Sequence, residues 1–171
     1  MRNPLVCDRD VEFLLYEVLD GATLFTLPAF AAHDRATFDL LLDSARRLAR
    51  EVLFPAYRAM DAEPPQFVGG RIITHPLMKT IYPQLVEFGL IGATRPVAVG
   101  GQQLPRLVTT LASTYLMAAN LSACGYVGLA PPPQFEGGRK QDARARGPEG
   151  MAEGDGAAVH VHLAAVEAEF L

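Results

Sequence analysis

The hydrophobic positions of the chain fall into four periodic segments, separated by loops rich in proline and glycine. In the first, roughly Asp10 to Leu19, the residues Val11, Leu14, Leu15, Val18 and Leu19 recur at helical spacing and predict one apolar stripe. Asp8 and Asp10 are its candidate caps and Gly21 its candidate stop. The stretch LFTLPAFAAH that follows is too apolar for open solvent and is expected to lie on the core. The second segment, Ala36 to Met60, is the clearest. Its stripe is Phe38, Leu41, Leu42, Ala45, Leu48, Ala49, Val52, Leu53 and Ala56. The opposite face carries Asp39, Asp43, Arg46, Arg47 and Arg50 and is expected to be solvated, with Asp43 and Arg47 paired four residues apart. Pro55 is expected to kink this helix or end it near Phe54.

DAEPPQFVGGRIITHP reads as a loop. Pro76 then opens a third helix, with Leu77, Ile81, Leu85 and Phe88 as its stripe, Pro83 inside it and Gly89 as its stop. LIGATRPVAVGGQQLPRL is a second loop, and Pro105 starts a fourth helix running towards Gly125. From Leu107 to Ala130, 24 residues pass without a charge. A helix that is apolar all round is buried in protein or in lipid, and this length would span a bilayer. Thr109, Thr110, Ser113, Thr114, Asn120 and Ser122 interrupt it, however, and favour the central helix of a soluble fold. Amphipathic helices around such a helix predict an all-α, up-and-down bundle.

The pattern stops at GLAPPPQFEGG. Residues 131–158 hold almost no large apolar side chain beyond Phe135 and Met151, too few to offset the entropy of ordering them. The expected organisation is therefore a short helix and apolar loop over residues 1–33, a helical domain over 34–130 and a low-complexity, disordered tail over 131–171. A net charge of −4 argues against nucleic acid, which calls for a basic surface. Cys7 and Cys124 stand in no ligand spacing and point to a reducing compartment. MRNPLVCDRD has no long apolar run after its basic residue, so no signal peptide is expected and a cytoplasmic location is.

Chemical constellations are nearly absent. GGQQLP lacks the Gly-Lys-Ser/Thr ending of a phosphate loop. His160 and His162 would share one face of a strand but have no third ligand near them, so no metal is expected. Cys124 has no base beside it in sequence and reads as a buried structural thiol. Glu51 and Glu87 are isolated carboxylates, and there is no Ser-His-Asp set. No catalytic residue is expected.

Four stretches taken together carry more. NPLVCDRDVEFLLYEVLD, EVLFPAYRAMD, YPQLVEFGLIGATRPVAVGGQQLPRLV and AANLSACGYVGL resemble the N-terminal helical domain of acyl-CoA dehydrogenases, in the bacterial branch with an extra short N-terminal helix. The resemblance covers residues 3 to about 130. Its most specific part is the loop, where Gly89, Leu90, Gly92, Pro96, Gly100, Gly101, Leu104 and Pro105 match the family's pattern. Val97, Ala98 and Val99 replace its acidic and aromatic residues, and Gln103 stands where the family has a third glycine. Thr114 takes the place of a common glutamate in the fourth helix. The resemblance implies an FAD-dependent oxidoreductase of fatty-acid metabolism acting on acyl-CoA thioesters. In such enzymes the flavin takes a hydride from the substrate β-carbon while a glutamate removes the α-proton. That glutamate and most flavin contacts belong to a middle β domain and a C-terminal four-helix domain, so this chain is expected to be inactive alone and to bind no flavin. By the same resemblance Cys124, Gly125 and Gly128 approach the acyl chain, with plain helix packing as the competing reading of the three. Without the other domains, the apolar fourth helix would be exposed to self-association. The alternative function is a small helical binding or oligomerisation module.

The tail does not resemble the family's middle domain. Read one base out of frame, the codons of Ala158 to Leu163 permit Cys-Met-Cys-Ile-Ser, similar to the Met-Cys-Leu-Ser run that opens that domain. A frameshift near Ala130 is one reading of the tail; a genuine linker is the other.

Overall fold

The computed structural model of the chain describes residues 6–129. The expectations placed on residues 131–171, and on His160 and His162 within them, lie outside that range. The described residues are mostly helical, with one two-stranded sheet, as the all-α reading anticipated. Helix α1 is Asp8–Phe13, continued by a wide π turn over Leu14–Val18. Only Val11 and Leu15 of the expected stripe are buried; Leu14, Val18 and Leu19 face outward. The chain leaves this segment at Asp20, whose φ of 44° is left-handed. Gly21 therefore has a different task from a stop: a Cβ there would lie 2.6 Å from the Leu15 side chain and 2.8 Å from its carbonyl oxygen. LFTLPAFAAH forms short 3-10 turns, with Leu24 and Phe25 packed against the core and the Phe25 ring 4.9 Å from that of Phe38.

The second segment is one rod of three parts: α2 (Arg35–Leu48), a π turn (Ala49–Leu53) and α3 (Phe54–Ala62). Asp34 caps it, its carboxylate accepting the Thr37 backbone N–H at 2.8 Å. Phe38, Leu42, Ala45, Ala49 and Leu53 are fully or almost fully buried, as the stripe required. Pro55 does not end the helical run at Phe54. A proline ring needs room at the carbonyl four residues back, here Glu51, and the π turn provides it by widening the backbone ladder just ahead of Pro55.

The stretch expected to be a loop contains an antiparallel hairpin, β1 (Gln66–Val68) with β2 (Arg71–Ile73), closed by Gly69-Gly70. Helix α4 is Met78–Phe88 and ends at Gly89. Met78, not Leu77, is the buried residue of its first turn. Helix α5 is Arg106–Leu129. It lies against α2, its π turn, α3 and α4, so it is the element the others share. Arg106–Gly128 is also long and apolar enough to cross a membrane by length and composition; 44% of its most apolar stretch is buried against protein.

Candidate functional site

The loop between α4 and α5 folds back on itself. Gly101 and Gln103 donate their backbone N–H groups to the carbonyls of Pro96 and Arg95, at 3.1 and 2.8 Å, and Leu104 donates to Ala93 at 2.8 Å. Position 101 accepts only glycine, because a Cβ would stand 2.1 Å from the Arg95 carbonyl oxygen. Gln103 has a left-handed φ of 52°, a conformation costing a residue with a side chain roughly 1–2 kcal/mol. Its neighbours offset this: the side-chain amide donates to the Ala29 carbonyl at 2.6 Å, and His33 Nε2 lies 3.2 Å from the Gln103 carbonyl. The closed loop buries Leu104 and Pro105 at the start of α5 and so fixes where that helix begins.

Beside this loop lies a partly open groove of about 150 Å³. Leu85 and Phe88 of α4 form one wall, Leu90 and Ile91 of the following turn the floor, and α5 the other wall through Ser113, Leu116, Met117, Cys124, Val127 and Gly128. No lining side chain is charged. Ser113 spends its hydroxyl on the Thr109 carbonyl at 2.9 Å, within its own helix. Burial pushes the Cys124 thiol up to about 11, so at neutral pH it is a protonated, weakly polar group and no nucleophile. The groove therefore offers an apolar surface and nothing that reacts. A volume near 150 Å³ suits a short stretch of hydrocarbon.

Of the three residues singled out in the sequence, Cys124 and Gly128 line this groove and Gly125 does not. A Cβ at Gly125 or at Gly128 would meet nothing within 4 Å, so neither glycine serves close packing inside the described residues. Of the other lining residues, Leu85, Phe88 and Leu116 belong to the apolar positions of expected helices and Leu90 and Ile91 to an expected loop, and what unites the lining is its meeting in space. The lining does not fit FAD: it has no cationic side chain and no free donor for a pyrophosphate. Among the described residues no cluster of three or more His, Cys, Asp or Glu side chains could hold a metal.

Outside the groove, the polar face of α2 is not simply solvated. Arg46 and Arg50 reach across to α1, with only about a fifth of each side chain exposed. Arg50 Nη2 lies 2.5 Å from Asp8 Oδ1, Arg46 Nε 3.5 Å from it, and the Tyr115 hydroxyl donates to it at 3.2 Å. Burial alone would raise the Asp8 carboxyl; the Arg50 hydrogen bond, the two guanidinium charges and Tyr115 outweigh it and hold it below the ordinary carboxylate value. Burial and the Asp8 charge push Tyr115 up to about 12. Arg46 also takes Glu12 and Asp43, each at 3.3 Å, so Asp43 pairs three residues on rather than with Arg47. Tyr16 joins the same seam by donating to Asp39 at 2.6 Å. This is a structural clasp between α1, α2 and α5.

Compared with models of known protein families and with curated proteins, the chain matches none.

Proposed function

We propose that this chain is the N-terminal helical domain, an up-and-down bundle, of an FAD-dependent acyl-CoA dehydrogenase, and that the groove between α4 and α5 receives part of the acyl chain. The observation that carries this reading is the groove itself: apolar, uncharged, partly open, and edged by Cys124 and Gly128. The α4–α5 loop supports it independently. Gly101 stands where no side chain fits, and Gln103, in the place of the family's third glycine, takes a glycine-like backbone conformation. The open side of the groove and the empty space beside Gly128 suit a wall completed by further domains.

Alone, the chain oxidises no acyl-CoA, because abstraction of the α-proton needs a positioned base and the hydride needs an acceptor that this lining does not fit. The acyl thioester is the partner of the whole enzyme, in the cytoplasm; the fragment retains the hydrocarbon-binding wall. Binding of dodecanoyl-CoA, with free CoA as control, tests the groove: saturable binding of the thioester alone supports it, and equal or absent binding overturns it. The coding DNA tests the family: a shifted frame after the Ala130 codon should encode a flavin-binding β domain, and its absence downstream in any frame removes the dehydrogenase reading.

A second reading, an oligomerisation module, draws on Leu121, which stands outward, 64% exposed, on the uncharged stretch of α5 and outside the groove. Sedimentation at increasing concentration distinguishes the two: a stoichiometric oligomer without thioester binding favours the second.

A further inference from the structure

Within α5 only Asn120 departs from helical backbone, at φ −162° and ψ 88°. This is ordinary extended backbone, so the break stores no strain. The helix is in effect two, residues 106–119 and 121–129, joined at one residue. The joint is capped from within: Asn120 Oδ1 accepts the Ala123 backbone N–H at 3.0 Å, as an N-cap side chain does three residues into a helix. Asn120 Nδ2 donates to the Leu53 carbonyl at 3.4 Å and lies 3.3 Å from Met60 Sδ. Leu53 closes the π turn ahead of Pro55, so the irregular points of the two long helices meet, with the amide of Asn120 between them. The side chain is 1% exposed, and without these partners a buried amide would be costly.

The groove straddles the joint. Ser113, Leu116 and Met117 come from before it, and Cys124, Val127 and Gly128 from after it. One extended residue rises about 3.3 Å where a helical one rises about 1.5 Å, and it turns the following helix about its axis. The mutual placement of the two sets of lining residues is therefore decided at position 120. We propose that Asn120 is a positioning residue whose interior cap sets the width of the groove. The proposal rests on the reading of that groove as an acyl site.

The experiment uses the full chain, titrated calorimetrically with dodecanoyl-CoA, and Cα chemical shifts of residues 119–123 to report the break. Asn120→Ser keeps a capping oxygen and loses the amide; Asn120→Leu loses both and favours a straight helix. Both variants lose the contact with Leu53, so both unfold at lower urea, and stability alone cannot separate them. Asn120→Ser should keep an extended shift at position 120 and bind within about threefold of the unsubstituted chain, whereas Asn120→Leu should show helical shifts and bind at least about tenfold more weakly. Leu121→Pro serves where Asn120→Leu does not fold: residue 121 is exposed, follows the extended Asn120 and leaves the Ala123 N–H to the cap, and proline is tolerated at the first position of a helix but not in mid-helix, so binding should survive it, and its loss overturns the proposal. Equal weakening by Ser and Leu, or none by Leu, overturns the positioning role and leaves the groove standing. No thioester binding by the unsubstituted chain overturns the groove reading and the positioning role with it.

Discussion

The two lengths of α5 on either side of Asn120 are built from similar residues and serve different ends. Before the joint, Val108, Ala112 and Tyr115 are wholly enclosed, and the single polar reach is the Tyr115 hydroxyl, which meets Asp8. After it, Leu121 is 64% exposed, Cys124 is half-buried and Gly128 borders open space. Neither length carries a charge beyond Arg106. What separates them is the company each keeps: the first length meets the clasp through Tyr115 as well as lining the groove, whereas the second lines the groove and leaves Leu121 outward. An uncharged helix thus need not be all core, and hydropathy alone does not reveal which part is wall and which is pillar.

The sharpest way to break this contrast is to truncate the enclosed half. Tyr115→Ala should cost roughly 3–5 kcal/mol in urea unfolding, the usual range for emptying a buried aromatic site; a loss below about 1 kcal/mol would mean that the first half is no better packed than the second. Asp8→Asn comes next, at roughly 1–3 kcal/mol, because it removes the carboxylate that Arg50 and Arg46 share and leaves Arg46 only Glu12 and Asp43, while neither Nε has a hydrogen-bond partner to compensate. It also has a pH signature. The folded Asp8 carboxyl lies below its ordinary value of 3.8, so its contribution is fully present above that value and disappears as pH falls through the lowered one. The variant should therefore lose less stability than the parent between about pH 5 and pH 2; parallel acid curves would rule the clasp out.

In the second half the same logic gives opposite signs for stability and binding. Gly128→Leu should stabilise by about 0.5–1 kcal/mol, since it removes a helical glycine into open space, while abolishing dodecanoyl-CoA binding by filling the groove. Binding that survives it would place the hydrocarbon elsewhere. The smallest effect belongs to Leu121→Ser, expected to leave stability within about 0.5 kcal/mol and to reduce any concentration-dependent self-association. Unchanged sedimentation would free the outward face of α5 from blame.

Periodicity made the α2–α3 rod and the burial of Phe38, Leu42 and Leu53 legible, because a long stripe leaves few alternatives. It failed where two influences compete. Leu14, Val18 and Leu19 have the right spacing, but the π turn rotates them off the core. Gly-Gly between QFV and RII was the sign of the hairpin, outweighed there by the prolines before it. Arg46 and Arg50 looked like a wet face because their partner, Asp8, is 42 residues from Arg50. Little of the candidate site was legible: of its ten lining residues only Cys124 and Gly128 were singled out, through the resemblance, and Leu85, Phe88 and Ser113 join it only through packing. The break at Asn120 was not distinguishable from the other polar residues of the uncharged run, Thr109, Thr110, Ser113, Thr114 and Ser122, since one capped residue does not change composition.

The hairpin of residues 66–73 has a practical consequence. Phe67 is 75% exposed and side chains added at Gly69 or Gly70 would touch nothing, so its tip projects from everything described above. An affinity epitope spliced between those two glycines would be displayed like a flag on a short mast, able to tether the protein to a surface for thioester-binding measurements without obstructing either half of α5.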